Sequence, residues 1–121
     1  MTKKILIVDD EADVLSVLTK RLSGAGYQVI QAQDGRKALA LAKKEMPSLI
    51  VLDIMMPGMS GAQVGADLKN DPATKDIPVI FLTCLLTRDE EGNIGHEHGG
   101  NFFVAKPYRA EEFLQIIREH I

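Results

Sequence analysis

The chain has 121 residues, a length typical of one folded domain. Hydrophobic residues make up 45% of the sequence and charged residues 26%, which is enough apolar material for a core and does not indicate disorder. The net charge of −3 argues against a basic nucleic-acid-binding surface, so we expect no direct contact with nucleic acid.

The chain contains a single cysteine, Cys84, so no internal disulfide can form and a reducing compartment is indicated. The apolar run near the N-terminus is too short for a signal-peptide core or a membrane span. We therefore expect a cytoplasmic protein with no membrane attachment.

The first half of the chain alternates between apolar runs and helical patterns. Residues 5–8 predict a strand, and the apolar positions 14, 15, 18 and 22 predict a helix that ends near Gly24. A second strand is predicted at 27–30, followed by a helix with apolar positions 38, 39, 41 and 42 that is closed by Pro47. A third strand is predicted at 49–52.

The second half continues the alternation. A helix is predicted at about 62–70, strands at 79–82 and 102–104, and a last helix at about 110–120. Between the last two strands, residues 89–98 include two glycines, each of which weakens a helix by about 1 kcal/mol relative to alanine. We predict a short or frayed helix there, in an exposed and mobile element.

Five nearly continuous apolar strands that alternate with five helices predict a doubly wound α/β fold with a parallel sheet. The whole chain, residues 1–121, is expected to form one domain. Right-handed crossovers place helices on both faces of such a sheet, and ligands bind at the carboxyl ends of the strands.

Polar residues stand at those carboxyl ends. Asp9 and Asp10 follow the first strand, Asp53 the third, Thr83 the fourth and Lys106 the fifth. Simpler interpretations exist for single residues: Asp10 as a helix cap, Thr83 as an ordinary strand residue, and Lys106 as a structural ion-pair partner of Asp53. Because all five residues fall at one edge of the predicted sheet, a functional site is the better interpretation.

The charges of this cluster suit phosphoryl chemistry. Three adjacent carboxylates repel one another, and a divalent cation that prefers oxygen ligands, such as Mg²⁺, removes the repulsion. Asp53 can then act as a carboxylate nucleophile, while the cation and Lys106 neutralise charge on the transferred group. The Thr83 hydroxyl is placed to donate a hydrogen bond to a phosphoryl oxygen.

Four stretches resemble, in order and spacing, the receiver domain of two-component response regulators. They are residues 5–11, 52–61, 78–83 and 103–107. The resemblance implies a flavodoxin-like fold with a five-stranded parallel sheet in the order 2-1-3-4-5 and five helices. It also implies a signalling domain rather than an enzyme, one that assists its own phosphorylation and loses the phosphoryl group slowly.

The resemblance further implies a role for each site residue. Asp53 is expected to accept a phosphoryl group from the phosphohistidine of a histidine kinase or from a small phosphodonor. Asp9, Asp10, Asp53 and the main-chain carbonyl of Met55 are expected to bind Mg²⁺, with Mn²⁺ as a substitute. Lys106 is expected to bind the phosphoryl group.

A switch is implied as well. Thr83 is expected to move toward the phosphoryl group, and Phe103 to rotate into the space that it leaves. The change would reach the face made by helix 4, strand 5 and helix 5, which is expected to contact an unknown downstream target or a second receiver in a homodimer. The expected upstream partner is a histidine kinase or a phosphotransfer protein.

The sequence departs from the family pattern near the site. Met55 and Leu85 lie two residues after Asp53 and Thr83, and neither side chain can position a water molecule, which predicts slow self-dephosphorylation. Cys84 stands where a smaller residue is usual and is interpreted as a small buried hydrophobic side chain. Phe103 lacks the hydroxyl that a tyrosine would have.

Three other functions remain open. A magnesium-dependent phosphatase with an aspartyl nucleophile would need a second acid where Met55 stands. A docking module would not need all five site residues. A flavin-binding domain shares the fold class, but the acidic residues after the first strand would repel a flavin phosphate.

Overall fold

The computed structural model describes residues 2–83, 95–98, 101–106 and 108–121. In chain order the elements are β1 (Lys4–Val8), α1 (Ala12–Gly24), β2 (Gln28–Ala32), α2 (Gly35–Glu45), β3 (Leu49–Asp53), α3 (Gly61–Asn70), β4 (Val79–Thr83), β5 (Gly95–His98), β6 (Asn101–Ala105) and α4 (Ala110–His120). The five predicted strands are confirmed as β1, β2, β3, β4 and β6, and the predicted helices at 62–70 and 110–120 as α3 and α4.

The strands form one sheet in the order β2-β1-β3-β4-β6-β5. The first five strands of that order pair in parallel, so the predicted parallel order 2-1-3-4-5 is confirmed, with β6 as the fifth parallel strand. β5 pairs antiparallel with β6 at the end of the sheet. This arrangement brings the carboxyl ends of β1, β3, β4 and β6 to one edge.

The prediction of a helix at 89–98 is wrong where it can be compared with the structure. Gly95–His98 form the strand β5, and residues 89–94 lie outside the described residues. The described chain therefore has four helices rather than five. Pairing with β6 decides the conformation, and Gly95 fits against the ring of Phe102, where a Cβ atom would come within 2.7 Å of the ring carbon Cζ.

Both faces of the sheet are covered by helices. On one face, α1 and α4 pack through Leu15, Leu18, Leu22, Phe113 and Ile117 onto strand residues that include Ile5 and Ile7. On the other face, α2 and α3 pack through Ala38, Ala42, Val64 and Leu68 onto residues that include Leu6 and Leu52. All five residues of β3 are buried, as the continuous apolar run predicts.

Local side-chain bonds fix where helices begin. The Asp34 side chain accepts a hydrogen bond from the Lys37 N–H (2.8 Å) at the start of α2, and Ser60 accepts one from Gln63 (3.3 Å) at the start of α3. α2 ends at Glu45, and the next residue, Met46, is its C-cap and adopts the left-handed conformation with φ 46°. Within the described ranges, every helix is too short or too polar to span a bilayer.

Candidate functional site

The carboxyl end of β1 carries the first two acidic residues. Asp9 is buried, whereas Asp10 is exposed. The Asp9 carboxylate accepts a hydrogen bond at Oδ1 from the Glu11 N–H (2.9 Å), which anchors the turn that leads into α1. Glu11 is the N-cap of α1, so the interpretation of Asp10 as a helix cap is wrong. The Asp10 side chain is left at the mouth of the site.

Asp53 is the last residue of β3 and has only 6% of its surface exposed. Its Oδ1 accepts a hydrogen bond from the Met55 N–H (3.0 Å), and its Oδ2 accepts one from the Lys106 Nζ (3.2 Å). The buried charge is thus paired with a cation and with a backbone donor, as a buried carboxylate requires. The ion pair joins β3 to the residue that follows β6.

The three carboxylates meet. Asp9, Asp10 and Asp53 each present an oxygen, and these oxygens lie within 4.8 Å of one another. The Oδ2 atom of Asp9 is buried and has no hydrogen-bond partner in the described part of the chain. A set of carboxylate oxygens with one buried oxygen left unpaired suits a hard divalent cation such as Mg²⁺, so the residues present fit the predicted metal.

Electrostatics at Asp9 agree with this fit. The pKa of Asp9 is raised from its ordinary value of 3.8 to about 6, chiefly because the carboxyl is buried and also because the Asp53 carboxylate lies beside it. The Glu11 N–H and the Lys106 charge act the other way. The fold therefore concentrates more negative charge at this edge than Lys106 alone can balance.

Thr83 and Lys106 are joined through the backbone. Thr83 ends β4 and is buried, and its carbonyl oxygen accepts a hydrogen bond from the Lys106 N–H (2.9 Å). Thr83 pairs with Ala105 in the β4–β6 register, one position beyond the pair of Leu82 and Val104. The lysine that contacts Asp53 is therefore tied to the strand end that carries the hydroxyl.

Phe103 lies next to Phe81 on the sheet. The two residues pair in the β4–β6 register, and their rings stack with centroids 5.1 Å apart. Both rings line a groove of about 350 Å³ bounded by α3. Phe103 lies three positions before Lys106, as in the sequence pattern, and the residue is partly buried.

Met55 follows Asp53 at a distance of two residues and is largely exposed. Its N–H contacts Asp53, which places its backbone beside the acidic cluster. Predictions were also made from the sequence for Cys84 and Leu85, but both residues lie outside the described residues.

Sequence reasoning assigned no role to Gly61. A Cβ atom at this position would overlap the carbonyl oxygen of Asp53, so the start of α3 can approach the end of β3 only because residue 61 is glycine. The Gly61 N–H also donates to the Ile54 carbonyl oxygen (3.1 Å). The signal in the sequence is a glycine directly after Ser60, the N-cap of the helix.

The chain matches the family described as response regulator receiver domain over residues 5–118. It belongs to that family. Receiver domains are signalling domains of two-component systems; they bind Mg²⁺ at an acidic site and interact with histidine kinases or phosphotransfer proteins.

Relatives of known sequence support the assignment. The probable transcriptional regulator ycf27 of Porphyridium aerugineum is 42% identical over 117 residues, which cover 96% of this chain and 47% of that protein. The response regulator PleD of Caulobacter vibrioides is 42% identical over 107 residues, 88% of this chain and 23% of that protein. The chain thus spans half or less of the length of these relatives.

Solved structures match along the whole chain. The chemotaxis protein CheY4 of Vibrio cholerae is 30% identical with a TM-score of 0.84, and the match covers 100% of both chains. The receiver domain of a sensor histidine kinase from Pseudomonas aeruginosa, whose structure has a magnesium ion coordinated in its active site cleft, is 26% identical with a TM-score of 0.83, covering 99% of this chain and 98% of that chain. The receiver fold is thus shared throughout.

Proposed function

We propose that this receiver domain is a phospho-accepting switch in which Asp53 receives the phosphoryl group. The observation that carries the proposal is the position of Asp53, a buried carboxylate held by Lys106 and the Met55 N–H inside a cluster of three carboxylates. The donor is the phosphohistidine of a histidine kinase or phosphotransfer protein, or a small phosphodonor. We take residues 1–121 as one receiver domain.

In the reaction, a carboxylate oxygen of Asp53 attacks phosphorus while the bond from phosphorus to the donor atom breaks, and the electron pair leaves with the donor. Asp9, Asp10, Asp53 and the Met55 carbonyl would hold Mg²⁺, which would supply charge neutralisation and orient the phosphoryl oxygens. Lys106 is about 30% exposed, so its ammonium group can exchange Asp53 Oδ2 for an incoming phosphoryl oxygen.

The switch follows from how the strand ends are joined. In the proposal, the Thr83 hydroxyl donates to a phosphoryl oxygen, and the Lys106 N–H bond to the Thr83 carbonyl couples that movement to the end of β6. The groove of about 350 Å³ beside Phe103 gives its ring room to move. Because Gly95–His98 form a strand, the proposed output face consists of β5, β6 and α4, and a downstream protein or a second copy would bind there.

The proposal is tested by incubating the protein with acetyl phosphate and Mg²⁺ and measuring its intact mass. We expect one phosphoryl adduct, lost in Asp53→Asn and without the metal, and greatly slowed in Asp10→Asn. Asp13→Asn, which removes an exposed carboxylate of α1 outside the cluster, should be phosphorylated normally. An adduct that persists in Asp53→Asn would contradict the proposal, and steady turnover of a simple phosphoester would favour a phosphatase.

A further inference from the structure

Met55 is an exposed methionine whose backbone contacts the acidic cluster. The residue is 60% exposed, although its own N–H donates a hydrogen bond to Asp53 Oδ1 (3.0 Å). Met56, the next residue, is only 8% exposed, and Met59 is partly buried and packs against the α2–α3 face of the core. In this loop, therefore, Met55 combines an accessible sulfur atom with a backbone that contacts the proposed phospho-acceptor.

We propose that Met55 is an oxidation site at which a hydroperoxide forms a sulfoxide, and that this sulfoxide shortens the lifetime of the phosphoryl group on Asp53. The second half of the inference rests on the proposed function of Asp53. A kinase would add the phosphoryl group to Asp53, whereas an oxidising signal would hasten its loss.

The chemistry is a two-electron oxygen transfer. The Met55 sulfur attacks one oxygen of the hydroperoxide, an S–O bond forms and the O–O bond breaks. The sulfide is oxidised to a sulfoxide, and the peroxide is reduced to water, or to an alcohol if it is an organic hydroperoxide. Exposure controls the rate because the peroxide must reach the sulfur, so Met55 should react well before Met56.

Oxidation changes the hydrogen bonds that the Met55 side chain can make. A thioether is at most a weak hydrogen-bond acceptor, so unmodified Met55 cannot orient a water molecule toward a phosphoryl group. A sulfoxide is polar and its oxygen accepts hydrogen bonds. In the proposal, the sulfoxide oxygen holds a water molecule for attack on phosphorus, which speeds hydrolysis of the acyl phosphate.

The chain offers a matched control in Met46. This residue is 54% exposed, close to the value for Met55, so it should react with peroxide at a similar rate. It lies at the end of α2, before β3, and therefore at the opposite edge of the sheet from Asp53. Its oxidation should leave the phosphoryl group unaffected.

The test uses the full chain phosphorylated with acetyl phosphate and freed from excess donor. One half of each sample receives hydrogen peroxide and the other half none; peptide mass spectrometry locates the sulfoxides, and intact mass follows loss of the phosphoryl group. Wild type, Met55→Leu and Met46→Leu are each compared with their own untreated half. We expect peroxide to speed phosphoryl loss by about three- to ten-fold in wild type and in Met46→Leu, the change that one added hydrogen bond produces. Met55→Leu should be insensitive to peroxide.

Two results would overturn this inference alone: a phosphoryl lifetime that is unchanged when Met55 is fully oxidised, or a Met55→Leu protein that stays sensitive to peroxide. Oxidation of Met56 ahead of Met55 would also overturn it. If wild type never carries a phosphoryl group on Asp53, the proposed function fails first and this inference fails with it.

Discussion

Folding buries the Asp9 carboxylate in a place where its negative charge is unfavourable. Its carboxylate is buried, one oxygen has no hydrogen-bond partner among the described residues, and the carboxylate of Asp53 lies nearby. A buried polar atom without a partner destabilises a fold by roughly 1–3 kcal/mol. The fold tolerates this because, in the proposed function, a cation satisfies that oxygen.

A dependence of stability on pH follows from the raised pKa of Asp9. Between 3.8, the ordinary pKa, and about 6, the folded protein holds a proton that the unfolded chain has lost. The contribution to stability is thus fully present below 3.8 and is lost as the pH rises through 6. In urea unfolding without divalent cations, Asp9→Asn should gain stability relative to wild type as the pH rises across this window.

Added Mg²⁺ provides the control. At pH 7 wild type should gain about 1.4 kcal/mol when the metal is at ten times its dissociation constant, since the metal binds the folded state. Asp9→Asn should gain much less, whereas Asp13→Asn should behave like wild type. A difference between wild type and Asp9→Asn that does not change with pH would contradict the account of Asp9.

Met55 sets a second expectation at the residue scale. Its backbone contacts Asp53, and its exposed apolar side chain cannot hold an attacking water molecule, so the phosphoryl group should be lost slowly. Met55→Asn introduces a donor and an acceptor at the same point and should speed the release of phosphate by roughly ten-fold, about 1.4 kcal/mol of barrier. A phosphate-release assay on the phosphorylated protein measures this; Met46→Asn is the control, and a rate for Met55→Asn no faster than wild type would refute the expectation.

At the scale of elements, the connection from β3 to α3 determines where Asp53 sits. The start of α3 packs directly against the end of β3, with Gly61 against the Asp53 carbonyl. A helix that began with a residue bearing a Cβ atom would have to move away from the strand. The acidic residue would then lose the fixed position that Lys106 and the Met55 N–H require.

Gly61→Ala should therefore lower the free energy of unfolding by about 1–3 kcal/mol, the usual effect of forcing an extra carbon into a packed site. Gly24→Ala is the matched control: it lies at the last position of α1, where a Cβ atom would meet nothing within 4 Å. That variant should be more stable by up to about 1 kcal/mol, because alanine favours a helix. Urea unfolding of both variants checks this, and equal stabilities for Gly61→Ala and wild type would contradict it.

The elements also show where sequence reasoning succeeds and fails. β3 could be predicted because strands buried on both faces need apolar residues throughout, and β3 is such a strand. β5 could not, since Gly95–His98 have little strand propensity and are held by pairing with β6, a tertiary contact. For this reason the helix predicted at 89–98 is wrong at Gly95–His98, which form β5.

At the scale of the whole molecule, the parallel sheet explains why the site could be predicted at all. Strands that run in the same direction end at the same edge, so residues far apart in sequence, such as Asp9 and Asp53, meet there. The sequence could not show which carboxylate oxygens are paired. That depends on the turns after β1 and β3, where the N–H groups of Glu11 and Met55 each satisfy one oxygen. Oδ2 of Asp9 has no partner in the described part of the chain.

The central claim is that Asp53 carries the phosphoryl group, and locating the modified residue tests it most directly. The protein is incubated with acetyl phosphate and Mg²⁺ and reduced with borohydride, which converts an aspartyl phosphate to homoserine, and its peptides are then sequenced by mass spectrometry. The account predicts homoserine at position 53, and none there when Mg²⁺ is left out. Homoserine at Asp9, Asp10 or another carboxylate, with position 53 unchanged, would contradict it.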